Sequence, residues 1–165
     1  MKKPPSSSRL LSDSQKFEIH GSYRQEYPSG PWRPFVRVAV ALPRFGVGRQ
    51  VDMLVDSGAD TTTLQPKDSL LILEEPQFSQ LGEQHKVQGI GGFTSFFQEG
   101  AAIGLLLTGN RICWIPIVID IAGLNAPPGL PSILGNDVMQ FGITHLDATN
   151  YTVKIELWLR YPIIT

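Results

Sequence analysis

Apolar residues recur at every second position along several short stretches of this chain, and Gly, Pro, Asn and Asp punctuate them. That alternation is the mark of half-buried strands. Phe35–Leu42, FVRVAVAL, predicts one strand. Arg49–Val55 predicts a second, with Pro43–Gly48 as the turn between them. The second strand runs apolar residues straight into Asp56, so the hairpin delivers that carboxylate to a loop. Pro66–Leu73 predicts a helical turn or a short irregular segment, ended by Glu74-Glu75-Pro76. Lys86–Glu99, KVQGIGGFTSFFQE, sets clustered glycines between two strand-like arms and predicts a hairpin with a mobile glycine tip. Ala101–Leu107 and Arg111–Ile119 predict two more strands, and Leu124–Pro131 a Pro/Gly loop. Ser132–Leu134 reads as a short apolar strand and Gly135–Phe141 as a short helix. Ile143–Asp147 and Tyr151–Leu159 close the pattern as a last hairpin. No internal repeat is visible. The pattern predicts an all-β domain with one short helix, as a closed or nearly closed barrel.

The first 30 residues break this pattern. They are rich in Ser, Lys, Gln and Pro, and predict a flexible or loosely attached arm ahead of a folded domain over residues 31–165. The whole chain of 165 residues suits one domain with a core that needs neither metal nor disulfide. Its formal net charge of −1, with scattered basic residues, points away from nucleic acid and anionic membranes. Frequent glycine (16) and proline (13) favour short strands and turns over long helices.

The single cysteine, Cys113, lies in an apolar run and reads as a buried core thiol. His20, His85 and His145 have no metal-ligand spacing, so neither a metal nor another cofactor is expected. No apolar run approaches the roughly 20 residues of a membrane span. The start, MKKPPSSSRL, is basic without an apolar segment behind it and does not read as a secretory signal. A cytoplasmic address is the default expectation.

The stretch VDMLVDSGADTTTL, Val51–Leu64, asks for a chemical explanation. Placing Asp56 at the end of an apolar strand costs free energy unless the carboxyl is hydrogen-bonded or shares a proton. Taken alone, Asp56-Ser57-Gly58 fits an Asx-turn equally well. Three segments taken together change that: LVDSGAD at Leu54–Asp60, QGIGGF at Gln88–Phe93, and SILGNDVM at Ser132–Met139. In this order they resemble the catalytic loop, the glycine-tipped flap and the Gly-initiated helix of the retropepsins, the retroviral type of aspartic protease and its single-domain cellular relatives. The resemblance runs from about Phe35 to Leu157.

What the resemblance implies is an aspartic endopeptidase. Amide hydrolysis by water needs a base to activate the water and an acid for the leaving group. Two carboxyls sharing one proton supply both, because like charges in contact cannot both ionise. Asp-Ser-Gly occurs once in this chain, so the second carboxyl has to come from a second copy. A homodimer with one Asp56 from each subunit on its two-fold axis is the simplest arrangement. Gly58 allows close backbone approach behind the carboxylates. Ser57 corresponds to a hydroxyl that braces the two loops across the axis, a support and not a nucleophile. Ala59 and Asp60 correspond to positions that meet the bound peptide, and Gly89, Ile90 and Gly91 to the flap that covers it. An extended peptide or protein substrate would bind as an added strand. Ile133 is expected toward a substrate pocket and Leu134 toward the core, with Leu130 and Pro131 at the rim. Val87, Phe93, Phe96 and Phe97 fit either flap contacts or plain core.

The chain departs from the retropepsin pattern at Asn136, where an arginine usually supports the aspartate matching Asp60. Arg33 and Arg37 are the candidates to replace that charge. The long apolar tail, WLRYPIIT, is expected to pair in a sheet across the dimer, with an extra strand within one subunit as the alternative. Two further readings stay open beside the enzyme. One is a weakly active or inactive peptide-binding or dimerisation module on the same fold. The other is a protease held inactive until the N-terminal arm is removed.

Overall fold

The computed structural model describes residues 15–82, 84–89, 92–107, 109–160 and 163–165. The chain runs β1 (Gln15–Arg24), β2 (Arg33–Leu42), β3 (Val47–Val55), β4 (Thr63–Leu64), α1 (Pro66–Ser69), α2 (Glu75–Phe78), β5 (Gln84–Gly89) and β6 (Gly92–Leu106). It continues through β7 (Ile112–Ala122), β8 (Ile133–Leu134), α3 (Asn136–Met139), β9 (Gly142–Asp147), β10 (Thr152–Leu159) and β11 (Ile163–Ile164). The described strands form one 11-stranded sheet in the order β5-β6-β7-β4-β8-β3-β2-β1-β10-β9, with β11 on β7. β2 pairs a second time, with β6, through Val38↔Leu105 to Ala41↔Ala102, so a ring of strands runs β6-β7-β4-β8-β3-β2. Among the described residues no helix is long and apolar enough to cross a membrane.

Inside this ring lie Val38, Val40, Leu42, Met53, Ile103, Leu105, Ile119, Ile121 and Leu134, all fully buried. Each removes its side chain from water, worth about 2 kcal/mol apiece. Cys113 is buried with them, and that burial pushes its thiol up from its ordinary value.

Three expectations change. Residues Gln15–Arg24 belong to the sheet rather than to a loose arm: β1 pairs with β10 from Gln15↔Leu159 to Ser22↔Thr152. Phe17 and Ile19 are buried while Glu18 and His20 face out. This period-2 pattern is short and flanked by polar residues, which hid it in the composition of the segment. Removing everything up to Gly30 would therefore strip a strand; residues 1–14 of the expected arm lie outside the described residues. Second, the flap arm and the strand expected at Ala101–Leu107 are one 15-residue strand, β6, because the ladder to β7 runs unbroken from Phe96↔Ala122 to Leu106↔Ile112. Third, the described residues hold three short helices where one was expected, and Glu74-Glu75-Pro76 opens the second of them instead of ending a segment. Pro76 sits in the first turn of α2, where a missing N–H is tolerated, and the Gln77 side chain accepts the Glu74 N–H at 2.8 Å.

The apolar tail pairs within its own chain, and not across a dimer as expected. Ile163 and Ile164 lie opposite Trp114 and Cys113 of β7, and Thr165 exchanges both backbone hydrogen bonds with Ile112.

Candidate active site

β3 carries its apolar residues to Val55 and releases the chain at Asp56. The short strand β8 lies parallel beside it, Leu54↔Ile133 and Val55↔Leu134. Leu54 donates its N–H to Ser132 O at 2.8 Å and Asp56 donates its own to Leu134 O at 3.2 Å, so the ladder fixes the Asp56 backbone up to the start of the loop. The chain then turns. Ala59 N–H donates to Asp56 O at 3.2 Å, which puts Ser57 and Gly58 at the exposed corners of a β-turn. Asp56 Oδ1 accepts the Gly58 N–H at 2.9 Å. That bond is common to an Asx-turn and to a carboxylate held for chemistry, so it does not separate the two.

Beyond the turn the loop is tied to α3. Asn136 N–H donates to Ala59 O at 2.8 Å and Asp137 N–H to Asp60 O at 3.1 Å. Ala59 is half-buried and Asp60 is exposed. Gly135 makes this approach possible: a Cβ there would lie 2.6 Å from the Thr61 carbonyl carbon and 2.8 Å from the Thr62 nitrogen. The Thr62 hydroxyl accepts the Gly135 N–H at 3.0 Å. Ile133 is half-buried next to the loop while Leu134 is fully buried, so the two residues of β8 point to opposite sides. Leu130 is exposed, but Pro131 is buried rather than at a rim.

β5 and β6 make the glycine-tipped hairpin, with Gln84↔Phe97 through Gly89↔Gly92 in register. Gly89 is the last described residue of the first arm. Ile90 and Gly91, the expected flap tip, lie outside the described residues. Phe96 and Phe97 are half-buried.

Neither arginine proposed to stand in for the missing charge at Asn136 serves that purpose. Arg33 pairs with Glu26 at 3.4 Å, and Arg37 pairs with Asp52 at 2.7 Å. The Asn136 side chain is exposed. Among the described residues no group of three or more His, Cys, Asp or Glu is placed to hold a metal ion.

Three residues that brace the site were not picked out from the sequence. Thr62 is fully buried and Asp137 holds it by both backbone and hydroxyl. The available signal was a run of three threonines directly after Asp60 and an acid at the helix start, in segments already singled out for other residues. Ser132 is the third: its buried hydroxyl accepts the Gln65 N–H at 3.0 Å and donates to Asp68 Oδ2 at 2.6 Å, joining the start of β8 to α1.

No protein-family model and no curated protein matches the chain. Solved structures do. A retropepsin-like aspartic protease from Rickettsia conorii matches over 96% of this chain and 98% of its own, with a TM-score of 0.52 at 14% identity. The EIAV protease, in complex with the inhibitor HBY-793, matches over 69% of this chain and 90% of its own, with a TM-score of 0.42 at 22% identity. The likeness to the Rickettsia conorii protein spans nearly the whole of both chains, and the fold of this protein is retropepsin-like.

Proposed function

We propose that this protein is an aspartic endopeptidase that works as a homodimer. Each subunit supplies one Asp56, and the two carboxyls share a proton. The ionised carboxyl takes a proton from water as that water attacks the peptide carbonyl. The protonated one supplies a proton toward the departing amide nitrogen, and the pair exchanges roles for the next cycle. The observation that carries the reading is the hold on the Asp56 loop. It sits between a strand ladder on one side and the backbone of α3 on the other, while Asp56 itself remains half-buried at the loop's start. Rigid placement of the reacting group is what such catalysis requires. The strand ring would act as a closed barrel behind it. The β5–β6 hairpin would act as the flap, with Gly89, Ile90 and Gly91 over an extended peptide and Ala59, Asp60 and Ile133 beneath it.

A shared proton makes activity bell-shaped in pH, with its maximum on the acid side of neutral. The test is cleavage of a mixed peptide library at about pH 5–6, beside Asp56→Asn and a pepstatin-type transition-state analogue. Cleavage lost in the variant and blocked by the analogue supports the reading. Absence of cleavage across the pH range, by protein shown to be dimeric, overturns it. That result would favour a peptide-binding module on the same fold, a reading to which the uncharged Asn136 lends weight.

A further inference from the structure

The first flap arm, β5, ends the sheet and is held along its length by β6. The registers His85↔Phe96 and Gln98↔Asp120 place His85, Phe96, Gln98 and Asp120 on one face of β5, β6 and β7. Ile119 and Ile121, on either side of Asp120, point the other way into the core. On that face His85 Nε2 lies 3.5 Å from Asp120 Oδ1, with the side chains 34% and 13% exposed. The imidazole stacks on the Phe96 ring at 6.0 Å between centroids. Two buried atoms of this group make no hydrogen bond, His85 Nδ1 and Asp120 Oδ1. Asp120 is also joined to the catalytic loop. It lies opposite Thr63, and its N–H donates to Thr62 O at 3.0 Å.

We propose that His85 and Asp120 are flap-positioning residues, forming a clasp across β6 that ties the base of the flap to the strand beside the catalytic loop and opens as the imidazole loses its proton. An imidazole changes charge between about pH 5 and 8. Charged, His85 attracts Asp120 through a mostly dry contact. Neutral, it keeps only the stack on Phe96, and the edge strand relies on β6 alone. The other groups acting on Asp120 are the Gln98 amide of β6, which favours its charged form, and the Asp137 carboxylate of α3, which opposes it. Burial pushes the Asp120 carboxyl above the usual carboxylate range, against the opposing pull of His85 and Gln98. Proton uptake by Asp120 removes the charge that His85 faces, so the clasp has an acid limit.

The catalytic consequence rests on the peptidase reading, but the clasp does not, and its test reads the flap directly. Amide hydrogen exchange over Gln84–Gly89, corrected for intrinsic rates and referenced to the core strand β2, is followed from pH 6 to 8 in wild type, Asp120→Asn and His85→Gln. Wild type should lose protection in β5 by about fivefold, the scale of one ion pair, while β2 stays constant. Both variants should give a flat profile, and if one fails to fold the other still decides. A flat wild-type profile, or the same pH dependence in a folded variant, overturns the clasp. Failure of the peptidase reading would show separately, as absent cleavage with the exchange profile intact.

Discussion

Asp137 grips Thr62 twice: its Oδ2 accepts the Thr62 N–H at 2.9 Å and its Oδ1 accepts the Thr62 hydroxyl at 2.6 Å. The same hydroxyl accepts the Gly135 N–H. One buried threonine thus joins the end of the Asp56 loop to the start of α3. Thr62→Val keeps the shape and removes the hydroxyl, leaving the Gly135 N–H without its acceptor and Asp137 Oδ1 with the Val138 N–H alone. Its expected cost is about 2 kcal/mol, read as a lower urea midpoint with an unchanged slope. A midpoint equal to wild type would mean that the loop is held by other contacts.

Gly135→Ala should be worse tolerated than its small size suggests. The new methyl meets backbone atoms of Thr61 and Thr62, which cannot rotate away. Overpacking of this kind costs about 1–3 kcal/mol, and relief would have to move the loop relative to α3. A thermal melt compared with wild type measures it. Gly100→Ala serves as the control, since a Cβ there meets nothing within 4 Å.

Ser132→Ala should destabilise without touching the Asp56 loop itself. It leaves the buried Gln65 N–H and the Asp68 carboxylate without their shared hydroxyl. About 1–3 kcal/mol is expected, seen as loss of amide protection at Gln65 and Ser69. Unchanged protection there would show that α1 is positioned by its apolar contacts instead.

Asp52 supplies a pH-dependent prediction. The hydrogen bonds from Arg37, aided by Arg24 and opposed by burial, hold its carboxyl well below the usual carboxylate range. A carboxyl lowered by folding binds its proton more readily in the unfolded chain. The stabilisation is complete above the unfolded value of about 3.9 and drains away as pH falls below it. Asp52→Asn should therefore lose about 1 kcal/mol at neutral pH, discounted for the partly exposed pair. The gap to wild type should begin to close below about pH 5 and go on narrowing as the solution is acidified further. A gap of constant size over that range would contradict the assignment to ionisation.

The hairpin that presents Asp56, the glycine-tipped hairpin and the Gly135 helix were legible because each joins a periodic pattern to residues with backbone requirements. Val51, Met53 and Val55 alternate toward the core and stop at a turn-forming Asp-Ser-Gly. β1 was not legible in the same way. Its buried face is carried by Phe17 and Ile19, and the strand opposite that face's residues, β10, is more than a hundred residues away in the chain, while the nearby β2 pairs only with the end of β1. The tail was readable as a strand, but local pattern does not name a strand's partner, and β11 lies on β7 of its own chain. Asp137 and His85 were opaque for a related reason. A polar residue's role depends on what faces it across the sheet, and Thr62 and Asp120 come from distant segments.

The central claim is that the active site needs one Asp56 from each of two chains. The most direct measurement is subunit mixing. A fixed amount of wild type is co-refolded with an equal amount of Asp56→Asn, and peptide cleavage is compared with wild type refolded alone. Random pairing leaves active dimers at about one half of the original number, so activity should fall to that level and keep falling as more variant is added. Activity that stays constant whatever the amount of variant would mean that each chain acts alone, and would contradict the account.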